Sequence, residues 1–120
     1  MSEIEWLQKQ EHFDWMQKCL VCWKKCEEFI SESIQNGKYS GSINICRDIT
    51  ELCGQCIKFE AQTSPFFQQL CEVCAGACET CSGELGKYEN QANIISETIC
   101  ACDVFAIACR NVPLRPAISF

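Results

Sequence analysis

Four cysteines, spaced three, four and three residues apart, constrain this chain more than any other feature. They are Cys71, Cys74, Cys78 and Cys81. At about 100° per residue, this spacing places all four within roughly 80° of one face of an α-helix. Such a face normally carries leucine or isoleucine and is buried in a core. The stretch therefore predicts a helix whose buried face is made of thiols.

The cysteine content bears on where the protein works. Thirteen of the 120 residues are cysteine, a share typical of secreted proteins held together by disulfides. The odd count, the helical spacing and an acidic N-terminus without the pattern of a secretion signal argue against that class. We therefore expect a cytoplasmic protein with reduced thiols. No apolar run reaches the roughly 20 residues of a membrane span. The net charge of −6 disfavours nucleic acid as a partner.

Helix-breaking residues divide the sequence into four predicted helices, at about 2–34, 42–62, 65–87 and 90–110. A turn with two glycines ends the first helix, and Ser64 followed by Pro65 is typical of the start of the third. Asn90 suits the N-cap of the fourth. Because short loops make sequence neighbours antiparallel, the chain predicts an all-α, up-down-up-down four-helix bundle with a cysteine-lined core. We assign residues 1–112 to this bundle and 113–120 to a short C-terminal tail.

The inward faces of these helices carry cysteine at most core positions. Helical periodicity assigns three cysteines to each of the first two helices, four to the third and two to the fourth. These twelve candidate metal ligands are Cys19, Cys22, Cys26, Cys46, Cys53, Cys56, Cys71, Cys74, Cys78, Cys81, Cys102 and Cys109. Cys100 points to nearly the opposite side of its helix. Leucine at the same positions would bury more apolar area, so packing alone does not account for twelve aligned thiols.

Thiols at these spacings suit a soft metal ion. Cysteines three or four residues apart on a helix have Cβ atoms about 5–6 Å apart, so two sulfurs can hold one ion and one sulfur can be shared. Cu(I) fits best, because thiolates select it and two ligands suffice. Zn(II) prefers four tetrahedral ligands, usually from Cys-x-x-Cys pairs in turns, whereas four such pairs here lie inside predicted helices. The pattern indicates a core that binds multiple Cu(I) ions.

On these residues the chain resembles the bacterial copper storage proteins, which are four-helix bundles that hold many Cu(I) ions. The resemblance spans about residues 19–109 and rests on the twelve inward cysteines. It implies that these cysteines bind Cu(I) and that the protein is a homotetramer. In lacking a signal segment, the chain is similar to the cytosolic members of that family. The fourth helix departs from the family, because Thr98 and Phe105 stand where family cysteines are expected.

An antiparallel bundle brings different residue types to its two ends. One end collects possible ligands, namely His12, Met16, Cys19, Cys56, Glu60, Cys71 and Cys109. The other end collects hydrocarbon side chains, namely Ile30, Ile43, Leu85 and Ile95. We expect Cu(I) to enter and leave at the first end, where the weaker ligands His12 and Met16 pass ions to deeper thiolates. Histidine or methionine near the open end is similar to the arrangement in the resembled family. A copper chaperone or chelator is the expected exchange partner.

Three alternatives use many cysteines in other ways. An iron–sulfur electron carrier of the ferredoxin type needs Cys-x2-Cys-x2-Cys-x3-Cys or Cys-x4-Cys-x2-Cys, and neither spacing is present. Cys53 and Cys56 have the spacing of a thiol redox enzyme, but no predicted strand precedes the helix that contains them. General buffering of zinc or heavy metals by thiolates stays open. The prediction is a storage protein and not an enzyme.

Overall fold

Four long helices form the protein. The computed structural model describes residues 2–112, except for the side chain of residue 8. The helices are α1 (Glu3–Asn36), α2 (Ser40–Ala61), α3 (Phe67–Leu85) and α4 (Asn93–Arg110), and a short 3-10 turn, Gly86–Tyr88, follows α3. The described residues contain no strand, which confirms the all-α prediction. The predicted tail, 113–120, and the predicted place of Gln8 on the inner face of α1 lie outside the described residues.

The helices form a closed ring in chain order. Each helix packs against its neighbours in sequence, and α1 packs against α4. The contact between His12 Nδ1 and Glu60 Oε1, 3.7 Å apart, places the start of α1 beside the end of α2. At the middle of α1, the Thr98 hydroxyl of α4 donates to the Lys25 carbonyl over 3.4 Å. These contacts confirm the antiparallel up-down-up-down bundle. No described helix is both long and apolar enough to cross a membrane.

Local hydrogen bonds set the helix ends. The Ser2 hydroxyl accepts the N–H of Glu5 at 3.2 Å and caps α1. At the other end of α1, Gly37 adopts a left-handed conformation (φ 64°), and its N–H bonds to the carbonyl of Ile34. The helix runs two residues past its predicted end, because this glycine and not Asn36 stops it.

The two later helices begin after the predicted positions. The Ser64 hydroxyl accepts the N–H of Phe66 at 3.1 Å, but this bond closes a turn before the helix. α3 therefore begins at Phe67 and not at Pro65. The prediction that Asn90 caps α4 is wrong. A turn closed by the Gln91 N–H and the Tyr88 carbonyl (2.9 Å) occupies these residues, and α4 begins three residues after Asn90.

Apolar side chains close the end of the bundle where α1 ends. Phe29, Leu85 and Ile95 are completely buried there, and Ile43 is 9% exposed. Ile30, which the sequence also assigns to this end, is only partly buried and packs against the core from outside. The cysteine-rich part of the core lies between this apolar end and the end where α1 begins.

Candidate metal centre

Twelve cysteine side chains meet along the axis of the bundle. Each helix brings cysteine to its inner face in steps of three, four or seven residues, so sulfurs from all four helices converge. Eleven of the twelve predicted thiol ligands are completely buried, and Cys109 is 2% exposed. Cys100 lies on the surface of α4. We call the twelve buried thiols the thiol core.

Contacts between helices arrange the thiol core in four layers of three. From the end where α1 begins, the layers hold Cys56, Cys71 and Cys109; Cys19, Cys53 and Cys74; Cys22, Cys78 and Cys102; and Cys26, Cys46 and Cys81. In each layer, the helix that does not supply a cysteine supplies another buried side chain. In the same order of layers, these side chains are Trp15 of α1, Phe105 of α4, Ile49 of α2 and Thr98 of α4. No layer of the described core therefore offers four thiols.

The non-cysteine side chains of α4 fill their layers without leaving unpaired polar atoms. The Thr98 hydroxyl donates to the carbonyl of Ile94, one turn earlier, over 2.7 Å. The ring of Phe105 is completely buried and lies 5.8 Å from the ring of Trp15. Thr98 and Phe105 are the two positions where the resemblance predicts cysteine, and the structure gives both of them packing roles.

The sulfurs lie close enough to share metal ions within and between layers. Cys46 Sγ and Cys81 Sγ are 3.7 Å apart. Cys22 Sγ lies 3.9 Å from Cys102 Sγ, and Cys102 Sγ lies 4.0 Å from Cys26 Sγ in the next layer. The sulfurs of Cys22, Cys26 and Cys102 all lie within 4.8 Å of one another, which makes a three-thiolate metal site geometrically possible.

Burial and mutual hydrogen bonding keep most of the thiol core protonated. The neighbouring Cys22 and burial raise the pKa of Cys102, and Cys102 in turn raises the pKa of Cys78. Hydrogen bonding to Cys19, together with burial, raises the pKa of Cys53. The pKa is raised for eight of the twelve inward thiols, namely Cys26, Cys46, Cys53, Cys56, Cys71, Cys78, Cys102 and Cys109.

Three other thiols accept hydrogen bonds from their neighbours, which favours the thiolate. Cys102 is the main cause of the lowered pKa of Cys22. Cys109 lowers the pKa of Cys74 to about 6, and Cys102 lowers the pKa of Cys81 to about 5. The thiol core is therefore a hydrogen-bonded network in which a few sulfurs act mainly as acceptors and the others supply the S–H donors.

The end of the bundle where α1 begins combines polar ligands with aromatic rings. The sequence lists His12 and Glu60 as possible ligands at this end, and the structure pairs them with each other, both side chains being about one-fifth exposed. Met16 is partly buried and packs against the core. The sequence predicts an open end here, but the structure shows it closed by Trp15 and Phe67, which are 4% and 3% exposed. The available sequence signal was that each ring lies one turn before the first cysteine of its helix.

Comparison with known proteins identifies the family. The sequence profile of the Csp family, described as copper storage protein, matches residues 8–113. The chain belongs to the copper storage protein family. A curated relative, the uncharacterized cysteine-rich protein YhjQ of Bacillus subtilis (strain 168), is 36% identical over 77 residues, which cover 64% of this chain and 68% of that protein. The recognition of the family from its cysteine pattern is thus confirmed.

Solved structures of copper storage proteins share this fold. The Cu(I)-bound copper storage protein BsCsp3 superposes with a TM-score of 0.78 at 26% identity, over 85% of this chain and 97% of that one. The apo form of copper storage protein 3 from Bacillus subtilis gives a TM-score of 0.74 at 28% identity, over 82% and 94%. The bundle described above therefore superposes on nearly the whole length of both solved chains.

Proposed function

We propose that this copper storage protein holds multiple Cu(I) ions in its thiol core in the cytosol, without catalysing a reaction. The observation that carries the proposal is the stacking of twelve buried thiols in layers of three, with four pairs of sulfurs from different helices 3.7–4.0 Å apart. Similarity to the Cu(I)-bound BsCsp3 supports the identity of the ion. We propose as ligands the twelve inward cysteines, with His12 and Met16 as weaker ligands near the end of the bundle.

The number of thiols in each layer favours Cu(I) over zinc. Structural zinc takes four tetrahedral ligands, usually cysteine and histidine. Each layer here supplies three thiols, and the fourth position is filled by Trp15, Phe105, Ile49 or Thr98. Soft Cu(I) accepts fewer thiolates, and a row of closely spaced sulfurs allows each thiolate to bridge neighbouring ions.

The structure does not favour thiol redox catalysis. Cys53 and Cys56, the pair with redox-motif spacing, are both completely buried inside α2. A redox cysteine must reach its partner as an exposed thiolate with a lowered pKa. The pKa of each of these two thiols is instead raised, chiefly by hydrogen bonding to Cys19 and Cys71 respectively.

Binding exchanges protons for metal ions. Each protonated thiol that binds Cu(I) releases one proton, and the resulting thiolate can bond to more than one ion, so the protons released offset the positive charge of the ions that enter. Three thiols with lowered pKa, Cys22, Cys74 and Cys81, are ready to bind the first ions without losing a proton. We propose that a copper chaperone or small chelator delivers and removes these ions.

Exchange takes place, in this proposal, at the end of the bundle that carries His12 and Met16. The opposite end is filled by hydrocarbon, including Phe29 and Leu85, which offers no ligand to a passing ion. The test is the rate of Cu(I) uptake by a variant with both His12→Ala and Met16→Leu. We expect slower uptake with an unchanged number of bound ions, and unchanged kinetics would refute a role for these two side chains.

Exposed apolar residues on α1 support assembly into a homo-oligomer, which we propose to be a tetramer. Trp6, Phe13 and Leu20 are 57%, 56% and 44% exposed, and they follow one another at seven-residue intervals. Apolar residues at this interval are typical of a seam between two helices. A Phe13→Glu variant should show a smaller mass than the unchanged protein in sedimentation experiments, with the helical signal retained.

The deciding experiment for the proposed function is anaerobic titration of the reduced protein with Cu(I) against a competing chelator. The proposal expects many tightly held ions per chain, and one ion or none would reject it. A parallel titration with Zn(II) tests general metal buffering. Equal retention of zinc and copper against matched chelators would favour the buffer over the copper store.

A further inference from the structure

Trp15 occupies a ligand position in the outermost layer of the thiol core. The other three helices place cysteine at this level, namely Cys56, Cys71 and Cys109, while α1 places the largest side chain of the core. The indole ring is 4% exposed although it lies near the end of the bundle. An ion that moves along the axis from the His12 end must therefore pass this ring before it reaches the second layer.

Two aromatic contacts hold the indole ring across the bundle. It meets the ring of Phe67 from α3 edge to face, with centroids 5.1 Å apart and an interplanar angle of 83°. It also lies 5.8 Å from the ring of Phe105 in α4. Each such ring pair stabilises the closed position of the indole beyond the effect of burial alone. It raises the ratio of closed to open positions by about twofold to tenfold. The ring thus connects α1 to the two helices that carry Cys71 and Cys109.

The polar atom of this ring is buried. Trp15 Nε1 is buried and has no hydrogen-bond partner of ordinary geometry among the described residues. A buried indole N–H without a partner is costly, and tryptophan usually avoids it. Movement of the ring toward solvent exposes this N–H to water, which supplies the missing partner.

We propose that Trp15 is the gate of the thiol core: its ring closes the core at the His12 end, at the level of the outermost thiols, and it must swing outward for each ion to pass. The gate rests on the proposed function, because it controls the exchange of the stored ion. It also explains how buried thiols can exchange with a chelator without unfolding of the bundle. The partly buried side chains of His12 and Met16 then lie outside the gate and hold an ion before the ring opens.

The first test measures transfer of Cu(I) from the loaded protein to an excess of chelator. Trp15→Ala removes the ring and should speed transfer by about tenfold, because both aromatic contacts are lost. The number of Cu(I) ions bound at saturation should differ by no more than one from the number bound by the unchanged protein. Trp15→Phe keeps a ring but lacks the N–H, and its transfer rate should stay within about threefold of the original. A Trp15→Ala protein that transfers copper at the original rate would overturn the gate.

A matched control removes a buried ring from the opposite end. Phe29 is completely buried in the apolar end, so Phe29→Ala loosens the bundle without opening the His12 end. Its transfer rate should remain within about threefold of the original. Equal acceleration by Phe29→Ala and Trp15→Ala would show that general loosening controls transfer, and would refute the gate. If Trp15→Ala does not give a helical circular-dichroism spectrum, Trp15→Leu takes its place with the same expected direction.

A second test needs no copper and so separates the gate from the proposed function. In the reduced apo protein, exposed Cys100 should react first with a maleimide, and the thiol core should react slowly. Trp15→Ala should speed the modification of Cys71 and Cys109, located by peptide mass spectrometry, about tenfold more than that of Cys26. Uniform acceleration of all thiols, or none, would overturn the gate even if copper binding is normal. Accelerated modification in a protein that binds no copper would support the gate and reject the storage function.

Discussion

The metal-free protein should be folded at neutral pH and should unfold cooperatively between about pH 9 and 10. Eight inward thiols have raised pKa values in the folded chain, and a free thiol titrates near 9.0. Above that pH the unfolded chain binds fewer protons than the folded chain, so the free energy of unfolding falls as pH rises. The stabilisation is fully present below pH 9 and is lost as the pH rises toward the folded values.

The size of this effect is comparable to the stability of the whole domain. One pH unit above the pKa of a thiol in the unfolded chain, each thiol that keeps its proton only in the folded state lowers the free energy of unfolding by about 1.4 kcal/mol. Eight such thiols cost about 11 kcal/mol at about pH 10, against a typical total of about 5–15 kcal/mol for a domain. Cys74 and Cys81, with pKa values of about 6 and 5, act in the opposite direction. Their stabilisation is present at high pH and is lost as the pH falls through these values.

Far-ultraviolet circular dichroism of the reduced protein, recorded anaerobically as the pH is raised, checks this prediction. The Cu(I)-loaded protein is the first control. Its thiolates have already lost their protons, so its helical signal should persist, and any effect of tyrosine or lysine titration appears in both samples. Cys100→Ser is the second control and should leave the transition unchanged, because this exposed thiol lies outside the core. A metal-free protein that remains helical at about pH 11 would refute the reasoning.

Two further predictions follow from the layers. Cys22→Ser should lower the number of Cu(I) ions bound by at least one, because Cys22 Sγ lies 3.9 Å from both Cys78 Sγ and Cys102 Sγ, whereas Cys100→Ser should leave that number unchanged. Anaerobic titration of both variants measures this difference, and equal losses would contradict the assigned core. Thr98→Cys should complete a layer of four thiols and raise the capacity for Cu(I), at a cost of about 1 kcal/mol in apo stability for the lost hydroxyl bond. Unchanged capacity with normal folding would show that Thr98 does not face the ions.

Helix content and helix faces were predictable because they depend on near neighbours in the chain. Cysteines in steps of three and four residues define one side of a helix whatever it packs against. That local rule assigned twelve cysteines to the inside and Cys100 to the outside, and the structure has the same division. The local rule failed at Asn90, where a turn held by Tyr88 and Gln91 delays α4.

The tertiary structure decided how the four faces combine. Periodicity along one helix does not specify its axial position relative to another, so the layers of three follow only from contacts such as those of Cys22 with Cys78 and Cys102. The pairing of His12 with Glu60 and the closure of that end by Trp15 depend likewise on side-chain packing between helices distant in sequence. The sequence by itself determined that the core is made of thiols, because residue type and helical spacing are local properties. Which sulfurs share a layer, which hold a proton and which ring closes the core are consequences of packing across helices, where burial and distance set the energies.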